Sequence, residues 1–283
     1  MQDKIVIVTG PTSGIGKEIA AGLAAQGAQI VLACRYRVRG EAAQAELALR
    51  TGSTKLAVMQ VDTSSQASIR AFAAAFRAAY PRLDVLVNNA GINLRARQES
   101  VDGIELTFAT NVLGYHLLTA ELLDLLKKSA PARIVNVAST FAGNLDLDDL
   151  AWRRRAYVAT QVYQQTKACN RLLTWALARR LDRTGVTANA MAPGLVQTGL
   201  YRDTPLAVRL LLKVVGLFHG RSVAAGADTA TWLASSPEVE GRSGGFYELR
   251  REQPCQFRNP EVEERLWAAC EAMVRGSLGP GPR

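Results

Sequence analysis

The stretch that most constrains this chain is TGPTSGIG, Thr9–Gly16, set between an apolar run and a helical pattern. The preceding KIVIVT, Lys4–Thr9, has the Ile/Val content of a buried parallel strand. The following KEIAAGLAAQG places Ile19, Ala20, Leu23 and Ala24 at helical spacing and stops at Gly27. The stretch is therefore a strand-to-helix turn. The first amides of a helix have no internal partner, and the helix dipole is positive there. Glycines let an anion approach those amides closely. A phosphate cradle and an ordinary glycine-rich connection both fit the turn taken alone.

The rest of the chain weighs toward the cradle. Strand patterns at Lys4–Thr9, Gln29–Ala33, Lys55–Gln60, Val85–Asn88, Arg133–Ala138, Thr187–Met191 and Gly245–Leu249 are read along the sequence. Helical patterns near Gly16–Ala25, Gly40–Leu49, Gln66–Ala79, Gly103–Lys127 and Val158–Arg183 separate the first six. Such alternation predicts a doubly wound α/β domain, a parallel sheet of about seven strands with helices on both faces. Ligands of these sheets sit beyond the carboxyl ends of the strands, where the opening turn lies. With 283 residues and no low-complexity linker, a single domain is expected. Two segments break the alternation. Residues 193–225 read as an irregular, amphipathic lid, and 251–283 as a C-terminal extension with a helical pattern over Pro260–Val274.

Composition removes several function classes. The net charge is +9, but aromatic residues make up only 6% of the chain, so nucleic-acid binding is not expected. Four cysteines without CxxC spacing and only two histidines, His116 and His219, argue against a metal site. His116 lies in an apolar helical pattern and reads as a packed side chain. Neither a signal-peptide plan nor an apolar run of membrane-spanning length is found, so a cytoplasmic protein is expected.

Chemistry is suggested by VYQQTKA, Val162–Ala168, which puts Tyr163 and Lys167 on one helix face. A phenol is a poor base at neutral pH, and a nearby ammonium brings its pKa toward the working range. The strand ending in NVAS delivers Ser139 to the ligand edge, and LVNNAG ends another strand there. Asn111 stands inside a helical pattern, where an amide is unfavourable unless it is used, or faces solvent.

Together, TGPTSGIG, NNAG, Asn111, Ser139, Tyr163-x-x-x-Lys167 and Pro193–Gly194 resemble, in order and spacing, the short-chain dehydrogenases/reductases. The resemblance runs from about Lys4 to Leu249. The stretches ACRYRVRGEAA, DGIELTFATNVLGYHLLT and ASSPEVEGRSGGFYE are similar to the retinol-dehydrogenase-like branch, whose membrane-bound members carry an N-terminal anchor not read in this sequence. The resemblance implies a Rossmann-like fold and a nicotinamide cofactor. Gly10, Thr12, Ser13, Gly14, Ile15 and Gly16 would hold its pyrophosphate and Asp62 its adenine. Asn88, Ala90 and Gly91 would line the adenosine ribose. Pro193, Gly194 and Thr198 would lie at the nicotinamide. Tyr163 would be the acid/base, Lys167 would lower its pKa, Ser139 would orient the carbonyl and Asn111 would keep a relay water in place.

At the end of the second strand an acidic side chain would select NAD. Cys34 stands there, followed by Arg35 and, nearby, Arg39, which favour NADP(H). The expected reaction is reduction of a lipophilic ketone or aldehyde. Reduction of a different double bond, as in protochlorophyllide reductases, and a non-catalytic NADP-binding regulator are the alternatives. Peripheral contact with an anionic membrane, and a homodimer or homotetramer, are further expectations.

Overall fold

The computed structural model describes residues 1–194, 222–255 and 257–275. The predicted lid residues 195–221, Thr198 among them, and residues 276–283 lie outside the described residues.

The chain starts in the middle of its sheet. β1 (Ile5–Thr9) is followed by α1 (Gly14–Ala24), β2 (Gln29–Cys34), α2 (Arg37–Thr51), β3 (Leu56–Gln60), α3 (Gln66–Ala79) and β4 (Val85–Asn88). Then come α4 (Leu106–Phe108), a π turn over Ala109–Leu113, α5 (Gly114–Lys128), β5 (Ala132–Val137), α6 (Ala159–Arg180) and β6 (Val186–Met191). The last described elements are α7 (Val223–Ser235), β7 (Phe246–Glu248), β8 (Arg251–Glu252) and α8 (Pro260–Val274). The strand order is β3-β2-β1-β4-β5-β6-β7-β8, and all pairs except β7–β8 are parallel. The order reverses between β1 and β4, which opens a crevice at their carboxyl ends.

Both faces of the sheet are covered, so strand side chains alternate between two cores. Ile5 and Ile7 enter the core with Phe72, Phe76, Leu117 and Leu172. Val6 and Val8 enter the opposite core with Ile19, Leu23 and Leu233. A period of two explains why each strand reads as an unbroken apolar run.

The sheet has eight strands. The unforeseen one, β8, is two exposed residues joined to β7 by Leu249 and Arg250. Both turn residues have positive φ, 55° and 58°. A turn of this kind normally advertises itself through Asn-Gly or Gly. Here it is held by tertiary bonds, with the Arg250 amide donating to Thr229 Oγ1 and the guanidinium paired with Asp228.

α8 packs along α6, burying Leu266, Cys270 and Val274. Glu271 of α8 reaches His116 on α5 at 3.0 Å, and Trp267 meets that imidazole edge-on. His116 is thus a packed side chain, as its apolar setting predicts. Among the described residues no helix is long and apolar enough to cross a membrane. Leu266 is fully buried. Leu266→Ala is expected to cost about 2–5 kcal/mol of stability, read as a lower urea midpoint, and an unchanged midpoint would mean that α8 is not docked on the core.

Candidate active site

The crevice between β1 and β4 widens into a groove of about 570 Å³. One wall is the glycine turn. Gly10 has φ +65°, and a Cβ there would stand 2.9 Å from the Ala90 backbone. Gly16 has ordinary helical backbone, but its Cβ would lie 2.3 Å from Asn89 Nδ2 and 2.4 Å from Gly10 O. One glycine thus supplies a conformation and the other an approach. The turn is tied to β4 by paired bonds. Asn89 N and Ala90 N donate to Thr9 Oγ1 at 2.8 and 3.0 Å, and Asn89 Nδ2 donates to Thr9 O at 2.8 Å. The N-terminus of α1 carries no side-chain cap and no acidic residue in its first turn. Its positive end faces the groove without a protein anion, which suits a pyrophosphate.

Gly10, Thr12, Ser13, Gly14, Ile15, Gly16, Arg35, Arg39, Asp62, Ala90, Gly91, Pro193 and Gly194 all line this groove, as do Ser139, Tyr163 and Lys167. Asn88 is not among the residues that line it. Its side chain is fully buried and donates to Thr119 Oγ1 and Asn136 Oδ1, on the core side. Successive residues of an extended chain point opposite ways, so Asn89 takes the groove side. The Asn-Asn doublet hid that choice, because nothing local tells which amide faces in.

The second helix terminus is more unusual. α2 also lacks a side-chain N-cap and an acidic first turn, and it gathers Arg35, Arg37 and Arg39 around its positive end. Arg37 is neutralised by Glu41 at 2.8 Å. Arg35 and Arg39 have no carboxylate partner among the described residues. Both guanidinium groups lie over the exposed Tyr36 ring, 4.6 and 5.1 Å from its centroid. Tyr36, unnoticed in the sequence, is thus a platform for the two arginines. Cys34 is buried beneath them, with its thiol toward Tyr36 O.

On the opposite wall, α6 presents Tyr163 and Lys167 on one face, the Lys167 Nζ lying 5.6 Å from the Tyr163 ring centroid. Lys167 is buried and donates to Val137 O at 2.8 Å. Burial pushes its ammonium down to about 7. The β5 end brings Ser139 to the groove, where its Oγ accepts from Phe141 N at 3.0 Å. Behind Ser139, Arg171 donates to its carbonyl oxygen.

Asn111 sits in the π turn, fully buried. Its Oδ1 accepts from Ile92 N at 2.8 Å, and its Nδ2 donates to Ile92 O at 2.9 Å and to Thr166 Oγ1 at 3.2 Å. The amide is therefore used rather than solvent-facing. It clamps the segment after β4 to α6. A π turn leaves the regular helical bonding ladder, and such turns recur at functional sites.

A family model described as short chain dehydrogenase matches residues 4–207. Retinol dehydrogenase 14 of Homo sapiens is 40% identical over 293 residues, covering 97% of this chain and 87% of that protein. A solved structure of an uncharacterised protein from Mycobacterium paratuberculosis aligns with TM-score 0.75 at 31% identity, covering 97% of this chain and 94% of that one. The Pseudomonas aeruginosa RhlG/NADP active-site complex aligns with TM-score 0.72 at 27% identity, covering 88% of this chain and 95% of that one.

The lowered ammonium has a measurable consequence. Between about 7 and the ordinary 10.5, the unfolded chain holds a proton on Lys167 that the folded chain does not. Wild-type stability should therefore rise with pH across that window. Lys167→Met should be stabilising near pH 6, and its advantage in melting temperature should shrink steadily toward pH 10. An advantage independent of pH would contradict a depressed Lys167.

Proposed function

The chain belongs to the short-chain dehydrogenase family, and from that premise we propose that it is an NADP(H)-dependent oxidoreductase that reduces the carbonyl of a lipophilic ketone or aldehyde, or oxidises the matching alcohol. The observation that carries the reaction is convergence. Ser139, Tyr163 and Lys167 stand on the same groove as the bare N-terminus of α1. The close approach permitted at Gly10 and Gly16 fits a dinucleotide. When bound, the nicotinamide supplies the hydride in reduction and accepts it in oxidation.

The residues of the chain handle the oxygen and its proton. Ser139 offers a hydroxyl to the carbonyl oxygen and orients it. Tyr163 gives that oxygen a proton as it becomes an alcohol, or takes the proton in reverse. A charged Lys167 favours the tyrosinate form and so keeps the exchange accessible near neutral pH. Asn111 acts through position, fixing the segment at Ile92 against α6. Thr198, which lies outside the described residues, keeps its proposed place at the carboxamide.

Preference for NADP(H) is supported by the unneutralised Arg35 and Arg39 at the uncapped end of α2. Two cations at the positive end of a helix repel it and each other unless an anion lies between them. A 2′-phosphate is such an anion, and a guanidinium grips it with charge-assisted bonds. The RhlG/NADP complex is a structural neighbour with that cofactor. A lipophilic substrate is supported by Ile92 and Leu94 on the groove and by the name of the human relative. Cytoplasmic residence, contact with an anionic membrane surface and assembly as a homodimer or homotetramer belong to the same proposal.

Tyr163→Phe is expected to lower turnover of a carbonyl panel at least about a hundredfold while NADPH binding persists. Near-normal turnover would refute the mechanism. For the cofactor, Arg35→Ala should weaken NADPH by about ten- to a hundredfold, the worth of a charge-assisted contact, and leave NADH nearly unchanged. The loss should shrink as salt rises. If wild-type protein binds NADH as tightly as NADPH in a fluorescence titration, the arginines are not a phosphate site.

A further inference from the structure

Behind the catalytic face of α6 lies a second cavity, of about 160 Å³, between α5, α6 and α8. It is separate from the groove and has its own chemistry. Three buried polar atoms at it lack a hydrogen-bond partner among the described residues, namely the Tyr115 hydroxyl and both Nδ2 and Oδ1 of Asn170. Asn170 is 2% exposed and Tyr115 is 5% exposed, so solvent at the surface does not satisfy them. Thr119 and Asn136, whose side chains both accept from Asn88, also line the cavity, and the remaining wall is carbon from Leu123, Leu173, Leu177 and Trp267. The rim includes the exposed Ala120 and the half-buried Glu271.

Buried polar groups in native proteins are nearly always paired, and three orphaned atoms at one cavity call for an occupant. Water alone is a poor one. A buried water needs two to four polar partners, and with Thr119, Asn136, His116 and Glu271 already bonded, the three unpartnered atoms anchor water at only one end of the cavity. The remainder would face leucine and indole. A fully apolar occupant would leave the three atoms unmade. An ion also fits badly. The titratable groups at the cavity, His116 and Glu271, are bonded to each other at 3.0 Å, and Glu271 Oε2 accepts from Arg275. A buried ion would find no free counter-charge.

The remaining chemistry is neutral and two-ended. The Asn170 amide offers a donor and an acceptor side by side, whose complement is a group carrying an acceptor beside a donor. The cavity matches, in size, the engineered apolar cavities of ~150 Å³ that take up benzene. We propose that this cavity is a binding site for a small neutral carboxamide or lactam, its amide seated on Asn170 and Tyr115 and its hydrocarbon part against Leu173, Leu177 and Trp267. The site lies next to the catalytic face, because the Tyr115 ring that borders it is 5.8 Å from Lys167 Nζ.

The test is titration of the full chain with benzamide by isothermal calorimetry, with toluene as the partner lacking an amide. Saturable one-to-one binding is expected. Asn170→Leu should weaken it at least about tenfold, the worth of the lost amide pairing, and toluene should bind at least tenfold more weakly than benzamide. Ala120→Trp, placed at the exposed rim, should block binding without lowering the melting temperature. That variant decides the matter if Asn170→Leu does not fold. Binding that does not saturate, that is equal in wild type and Ala120→Trp, or that is as tight for toluene would overturn the proposal. These readouts need neither cofactor nor turnover, so they stand apart from the proposed oxidoreductase activity.

Discussion

Everything at the ligand edge hangs on the place where β1 and β4 run side by side and then part. Thr9 Oγ1 accepts two backbone amides, from Asn89 and Ala90, and Asn89 Nδ2 returns a bond to Thr9 O. The pairing fixes the glycine turn against β4 within contact distance, so only hydrogen fits at Gly10 and Gly16. Were the turn any looser, the first amides of α1 would not point into the groove. A strand order that reverses there is what creates the crevice, and this short set of bonds decides its shape.

The second wall depends on α6 acting as a ruler. Four residues of helix bring Lys167 under Tyr163, and burial holds the amine near the pH at which its charge can change. The ruler is itself positioned from the side. Asn111 joins Ile92 to Thr166 from within a π turn, and Arg171 steadies the Ser139 carbonyl. The three groups proposed to handle the carbonyl oxygen thus sit on α6 and the β5 end, and their neighbours are tied to the β4 edge.

Electrostatics completes the picture of a site built for a polyanion. Two helices, α1 and α2, turn uncapped positive ends toward one groove, with no acidic residue in either first turn. Other helices carry side-chain caps, with Ser65 on α3, Ser222 on α7 and Asn259 on α8, whereas α6 starts uncapped at Val158. Bare N-termini on α1 and α2 at the same groove favour a ligand that brings its own negative charge.

By itself the sequence determined the α/β alternation and placed Ser139, Tyr163 and Lys167 at the carboxyl edge, where the groove lies. Each follows from a short period or a fixed spacing, two residues for a strand and four for a helix face, which local chain geometry already enforces. The helix over Pro260–Val274 was legible for the same reason, with Asn259 as its cap and proline at its start. Tertiary structure alone decided what needs a partner far along the chain. It turned Asn88 into the core and Asn89 into the groove, because strand register against β1 and β5 sets which face is which. It folded Leu249 and Arg250 into a left-handed turn that no local residue type announces, held from α7. It also laid α8 across α5 and α6, enclosing Tyr115 and Asn170 in a cavity. Such pairings join residues tens to more than a hundred positions apart, and no local pattern encodes which distant side chain will arrive.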